Sequence, residues 1–248
     1  MPEANLGGVF RLYRASLARC WLAALLFALT WLGSSMLLDR RLPATDDLFE
    51  RYAQIHALMW SGYFWRVFAV VAVLSTLCYC AMVAEIHALA VGGAAPAAGG
   101  LAPALRVLPG ALLAATIFLV GTSMATMLFV VPGAWLWGMW QLWLVVLVVE
   151  HSGPITSLQR SWQLVSGAWW RITTLVTVVA LIAIVPAMVF DAVLGGTLVL
   201  AGMSPGEAST VVFVASGILD LFLLPLVPAA LVAAYLDRSR AQAVSAQG

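Results

Sequence analysis

Residues 131–150 read VPGAWLWGMWQLWLVVLVVE, and residues 151–171 read HSGPITSLQRSWQLVSGAWWR. A Pro132-Gly133 break leads into a Trp-rich apolar run that stops at Glu150. Gly153-Pro154 then opens a stretch with the spacing of an amphipathic helix. Trp169-Trp170-Arg171 form an aromatic and basic collar before the next apolar run. A chain that crosses a bilayer, lies along its surface and crosses back has this pattern: about 20 apolar residues per crossing, with Trp and Arg at headgroup depth. Lipid is therefore the medium in which every other residue is read.

Composition points the same way. Hydrophobic residues make up 63% of the 248 and charged residues 9%, against about 25% charged in soluble domains. A mean hydropathy of +1.01 leaves no room for a sizeable water-soluble domain. The 12 basic residues are all arginine, and a net charge of +1 argues against a nucleic-acid partner, which needs a concentrated basic face. Cys20, Cys78 and Cys80 sit in apolar runs, and Cys78 and Cys80 point to different helix faces, so they read as inert buried thiols. Walker loop, GxSxG, HExxH and dinucleotide fingerprints are absent, so neither an enzyme nor a cofactor is expected.

Six apolar stretches are long enough to cross, near residues 17–38, 63–90, 107–131, 134–149, 172–194 and 208–236. The expectation is an all-α polytopic membrane protein, a single domain over residues 1–240, with a disordered tail at 241–248 (AQAVSAQG). The first stretch is longer than a signal-peptide core and lacks a convincing cleavage site, so it reads as an uncleaved span. With both termini inside, Arg11, Arg14, Arg19, Arg106, Arg160, Arg171, Arg238 and Arg240 are cytoplasmic. Only Arg40, Arg41, Arg51 and Arg66 lie outside, which fits the positive-inside rule.

Two further segments read as helices that do not span. Outside, Thr45 caps a helix with Asp46 and Asp47 in its first turn and an apolar stripe of Leu48, Tyr52, Ile55 and Met59. Inside, Pro154 starts a helix with Ile155, Leu158, Trp162, Val165 and Trp169 on one face. Thr156, Gln159, Arg160, Gln163 and Ser166 lie opposite. Either the stripes enter the acyl boundary or they pack on the spanning helices. The Glu85–Arg106 and Glu150–Arg171 separations are equal, which suggests either a duplicated hairpin or coincident span lengths.

The run Pro132-Gly133-x-Trp135-Leu136-Trp137, then Glu150, Gly153-Pro154, Arg160-Ser161-Trp162-x-Leu164, Gly167 and Trp169-Trp170-Arg171, resembles the signature of the YciC-like bacterial inner-membrane proteins. Those are similar in turn to the membrane domain attached to some glycerophosphoryl diester phosphodiesterases. Tyr235-Leu236-Asp237-Arg238 also resembles the family's usual ending. The resemblance implies six spans, a bacterial inner-membrane location and an envelope or membrane-homeostasis role. Gln159, Gln163 and Ser166 stand where family members often carry basic residues, which weakens a reading in which this helix grips anionic lipid by charge. No phosphodiesterase domain is present, so that activity does not carry over.

Polar groups in an apolar chain are the remaining candidates for chemistry. Asp220 falls near the bilayer centre and is followed by the helix-breaking Pro225 and Pro228. It is expected either to act as a polar site or to hydrogen bond to Thr122, Ser123 or Thr126 of the third span. Asp191 is expected at the outer interface in a structural role. Glu85, His87, Glu150 and His151 end their spans near Arg106 and Arg171, where ion pairing is expected and a metal site is not. Small residues paired at i and i+4 (Gly110 with Ala114, Ala111 with Ala115, Gly121 with Ala125) suit close helix packing or a homo-oligomer. The functional expectation is a non-enzymatic protein that interacts with lipid or organises the envelope, binding or moving a lipid or amphiphile, with membrane lipids and a second copy or another membrane protein as its partners. The alternatives are a small-solute or ion transporter using Asp220, and an anchor or assembly subunit.

Overall fold

The computed structural model describes residues 5–42, 47–96 and 98–245, and within them the chain forms helices and no strand. In order these are α1 (Leu6–Asp39), α2 (Leu48–Met59), α3 (Gly62–Ala90), α4 (Leu101–Leu128), α5 (Val130–Trp140), α6 (Trp143–Glu150), α7 (Pro154–Val165), α8 (Trp169–Leu200), α9 (Pro205–Leu223) and α10 (Leu226–Ser245). Taking α5–α6 and α9–α10 as broken single spans, 6 helices are long and apolar enough to cross a membrane. This is the all-α polytopic architecture that composition and span length imply.

Sequence determines the ends of these elements. Asn5 caps α1 by accepting from Gly8 N at 2.7 Å. Ser61 caps α3 by accepting from Phe64 N at 3.2 Å. Ser204 and Glu207 form a reciprocal capping box at the start of α9. The cap of α2 is Asp47, whose carboxylate accepts from Phe49 N at 2.8 Å. Thr45 and Asp46 lie outside the described residues, so the cap expected from Thr45 gives way to Asp47. Tyr52, Ile55 and Met59 on the α2 stripe are exposed.

Several boundaries differ from expectation. α1 begins at Leu6 rather than near residue 17, because Val9, Leu12, Ser16, Cys20 and Ala23 continue one buried stripe while Arg11 and Arg14 point away from it. The tail expected to be disordered from residue 241 is helical through Ser245, and Gln242 Nε2 donates to the Gln163 carbonyl at 3.0 Å. Residues 246–248 lie outside the described part. The fourth span is two helices, interrupted at Gln141–Leu142. The sixth is broken at Leu224–Pro225, as its prolines imply. At that break Tyr13 donates its hydroxyl to the Phe222 carbonyl at 2.7 Å.

The packed core lies at one end of the molecule. It gathers the start of α1, the end of α3, the starts of α4 and α8, α6, and the first half of α10. In α10 every residue from Leu226 to Leu236 is buried except half-buried Val227, so this helix is apolar all round and sits centrally against α1, α3, α6, α7 and α8. The small residues of α4 are used within this chain. Gly110 faces Leu147 of α6, and Gly121 has no room for a Cβ beside Trp140 of α5. The opposite end is open, with large apolar side chains uncovered on α2, α4, α5, α8 and α9.

Candidate functional site

Asp220 is an exposed residue on α9; the cavities it lines draw on α1 and α8, and Tyr79 of α3 is close enough to feel its charge. One cavity of about 210 Å³ brings it together with Phe27, Ala28, Trp31 and Leu32 of α1 and with Ser216 and Gly217. A second, of about 470 Å³, joins it to Asp191, Gly195 and Val199 of α8 and to Ser209 and Ser216. The expected bond to the third span is therefore not made. Thr122, Ser123 and Thr126 line a different cavity, with Met127, Val130 and Trp137. The Thr122 and Thr126 hydroxyls donate to carbonyls of their own helix, Phe118 at 2.7 Å and Thr122 at 2.8 Å. Depth arithmetic put α4 and α9 at one level, whereas adjacency is set by packing, and α9 packs on α1 and α8.

Asp191, expected apart from Asp220 in a structural role, lines the same cavity as Asp220 and also joins α8 to α9. Its Oδ1 is hydrogen bonded to Ser216 Oγ across the α8–α9 seam. Ser216 Oγ also lies 2.8 Å from the Val212 carbonyl. One hydroxyl proton cannot serve both acceptors, and among the described residues the Asp220 carboxylate has no hydrogen-bond partner and neither carboxylate has an ion pair. Among the described residues the two carboxylates thus have one hydroxyl donor between them, Ser216, and the Tyr79 hydroxyl nearby makes no hydrogen bond to Asp220. Ser216 is legible in the sequence only after the fact, since it sits four residues before Asp220 and so on the same helix face.

The inner-boundary residues are arranged differently from expectation. Glu150 pairs with Arg160 at 3.5 Å and accepts from the Tyr235 hydroxyl at 3.0 Å, while Arg171 pairs with Asp237 at 3.3 Å. The expected Glu150–Arg171 pair is replaced because α7 folds back on the fourth span and brings Arg160 to Glu150, while α10 inserts Asp237 beside Arg171. Glu85 is 2% exposed, with Oε2 lacking a partner, and the charge it feels is Arg19 of α1; Arg106 is exposed on α4. The His87 ring meets the Tyr235 ring edge-on at 6.4 Å, and His151 ends α6 in the left-handed region at φ 49°. Among the described residues no three His, Cys, Asp or Glu side chains converge on a common point. The two equally spaced Glu–Arg units differ in structure, with an irregular link between α3 and α4 but a helix between α6 and α8.

On α7 the buried face is Ser157, Leu158, Ser161, Leu164 and Val165. Of the expected stripe, Leu158 and Val165 are buried and Trp162 is half-buried against Trp135, with ring centroids 4.9 Å apart. Ile155 is exposed. The face is rotated because Ser161 plugs the break in the fourth span: its Oγ accepts from Leu142 N at 3.1 Å and donates to the Met139 carbonyl at 3.0 Å. Nearby, buried Gln141 donates to Thr173 Oγ1 at 3.3 Å. The open flank of α7 (Ile155, Gln159, Trp162, Gln163) lines a cleft of about 590 Å³ with Ile117 and Trp140. Trp169 Nε1 donates to the Trp135 carbonyl at 3.2 Å, while Trp170 is exposed. α7 therefore packs on the spans along one flank and leaves a mixed flank of Ile155, Trp162 and two glutamines facing the cleft.

Comparison of the chain with family models, curated proteins and solved structures gives no match, so its likeness to the YciC-like proteins rests on the motif residues alone.

Proposed function

We propose that this chain is a non-enzymatic protein of the bacterial inner membrane that holds or moves an amphiphile with an ammonium group in its head, with its termini on the cytoplasmic side. The observation that carries this reading is the donor-poor pair Asp191 and Asp220, bridged by Ser216, on the wall of cavities at the open end of the molecule. Carboxylates at membrane depth are costly unless paired or wetted. An ammonium supplies both the positive charge and the missing donors, and the uncovered apolar sides of α1, α8 and α9 suit a hydrocarbon tail. Eight arginines against four support the orientation.

A direct test is native mass spectrometry of gently extracted protein loaded with phosphatidylethanolamine and phosphatidylglycerol. The expected result is retention of the amine lipid by the unaltered chain and its loss from Asp220→Asn and Asp191→Asn, with folding intact. Equal retention of both lipids by all three proteins would overturn the reading. A second reading, cation transport through Asp220, is favoured by the break at Leu224–Pro225. Proline there cannot donate to the helix, which leaves the Leu221 carbonyl, next in the chain to Asp220, without its helical donor. Cation flux into proteoliposomes that disappears in Asp220→Asn would support it.

A further inference from the structure

The end of α1 and the start of α3 enclose a groove with an arginine at its mouth. Leu29, Gly33 and Leu37 of α1 recur every four residues, as do Arg66, Val70 and Leu74 of α3, and together they line a cavity of about 350 Å³. Each set covers two turns of helix, so the groove runs roughly 12 Å down from Arg66. Its hydroxyls are bonded within their own helix: Thr30 Oγ1 donates to the Leu26 carbonyl at 2.7 Å, and Ser34 Oγ to the Trp31 carbonyl at 2.8 Å. The walls are therefore apolar, and Leu29, Leu37, Val70 and Leu74 are exposed.

Gly33 keeps the groove open. Glycine inside a helix is less stable than alanine, and in membrane helices it commonly lets a neighbouring helix approach. No neighbour does so here, because among the described residues a Cβ at Gly33 would meet nothing within 4 Å. The missing side chain leaves room and not a helix contact. The two helices are tied at the mouth instead, where the Tyr63 hydroxyl donates to the Leu37 carbonyl at 3.1 Å.

The mouth is positively charged. Arg66 Nε donates to the Gly62 carbonyl at 3.1 Å, which turns the guanidinium toward the start of α3 and leaves its two terminal NH2 groups to point outward. Arg41 lies over the ring of Tyr63, 4.6 Å from its centroid and one helical turn from Arg66. Among the described residues neither guanidinium has an ion pair. A phosphate diester accepts two parallel N–H bonds from such a fork. A head with its own ammonium would bring a third positive charge to this corner, whereas an anionic head neutralises it. We propose that the α1–α3 groove seats one acyl chain of an anionic phospholipid whose phosphate is held by Arg66. This lipid is opposite in charge to the amphiphile at Asp191 and Asp220, and the two sites share no lining residue.

The test is native mass spectrometry of the full chain loaded with equal amounts of phosphatidylglycerol and phosphatidylethanolamine. Phosphatidylglycerol should stay bound to the unaltered chain and to Asp220→Asn, and its retention should fall about tenfold or more in Arg66→Gln. Gly33→Leu puts a side chain into the groove and should lose this lipid to the same degree, with an unchanged melting midpoint in lipid-free detergent. Val70→Trp fills the groove from the other wall if Gly33→Leu does not fold. Undiminished phosphatidylglycerol on Arg66→Gln would overturn the proposal. Its retention by folded Gly33→Leu would do the same, since the head would then be held without a chain in the groove. Phosphatidylethanolamine lost in parallel from Arg66→Gln would show that head charge is not read. A lipid-free dimer abolished by Gly33→Leu would give the groove to a second copy. Either of these results also refutes the assignment.

Discussion

Replacing Ser161 with alanine removes one hydroxyl and strands two backbone groups. Leu142 N and the Met139 carbonyl lie at the break in the fourth span, and both bond to Ser161 Oγ, which is fully buried. A buried group left without a partner costs about 1–3 kcal/mol, whereas an ordinary interhelical side-chain bond in a membrane protein averages only ~0.6 kcal/mol. Losing two backbone partners at once points to a loss of roughly 2–4 kcal/mol. At about 2–4 °C per kcal/mol for a chain of this size, the midpoint should fall by roughly 4 °C or more. The assay is thermal unfolding followed by a thiol-reactive dye, since Cys20, Cys78 and Cys80 report only when the core opens. Ser157→Ala is the control, because Ser157 is equally buried but donates only to Pro154 of its own helix, at 2.8 Å. A Ser161→Ala shift no larger than that of Ser157→Ala would refute the role given to this hydroxyl.

Gly100→Ala should prevent stable folding, because φ 76° is left-handed and a Cβ would strike the Ala81 backbone. Gly92→Ala has a similar φ of 74° but open space, so its loss should be limited to about 1–2 kcal/mol in the same melt. Asp237→Asn should cost no more than about 1 kcal/mol, and less in high salt, because Arg171 is 61% exposed. Cysteines at Ala201 and Ala243 should react with an impermeant maleimide from opposite sides of sealed vesicles; labelling from one side would overturn the span count. Trp162→Glu should loosen α7 from Trp135 and lower the melting midpoint, and an unchanged midpoint would remove the packing role of that ring pair.

Features carried by local chemistry were legible in the sequence. The spans follow from length and apolarity, the start of α7 from Pro154, and the break in the sixth span from Pro225 and Pro228. The break at Gln141–Leu142 was not, because no proline marks it and the hydroxyl that stabilises it comes from 20 residues along the chain. Asp220 was found by its cost in lipid, but its neighbours were misassigned. Rise per residue gives the depth of a side chain and says nothing about which helix lies beside it. The ion pairs were exchanged for a related reason: Arg160 and Asp237 arrive on α7 and α10, elements whose docking depends on the whole bundle.

The central position of α10 also constrains how the molecule is made. The helix that fills the middle of the core leaves the ribosome after every helix it packs against. Until Leu226–Leu236 emerges, α1, α3, α6, α7 and α8 have inserted with inward faces that meet only one another or lipid. The packed end is therefore expected to remain loosely associated until α10 is made and to close in a late step. A pause or fault in synthesis after α9 would leave an inserted but unclosed bundle, of the kind that membrane quality-control proteases recognise.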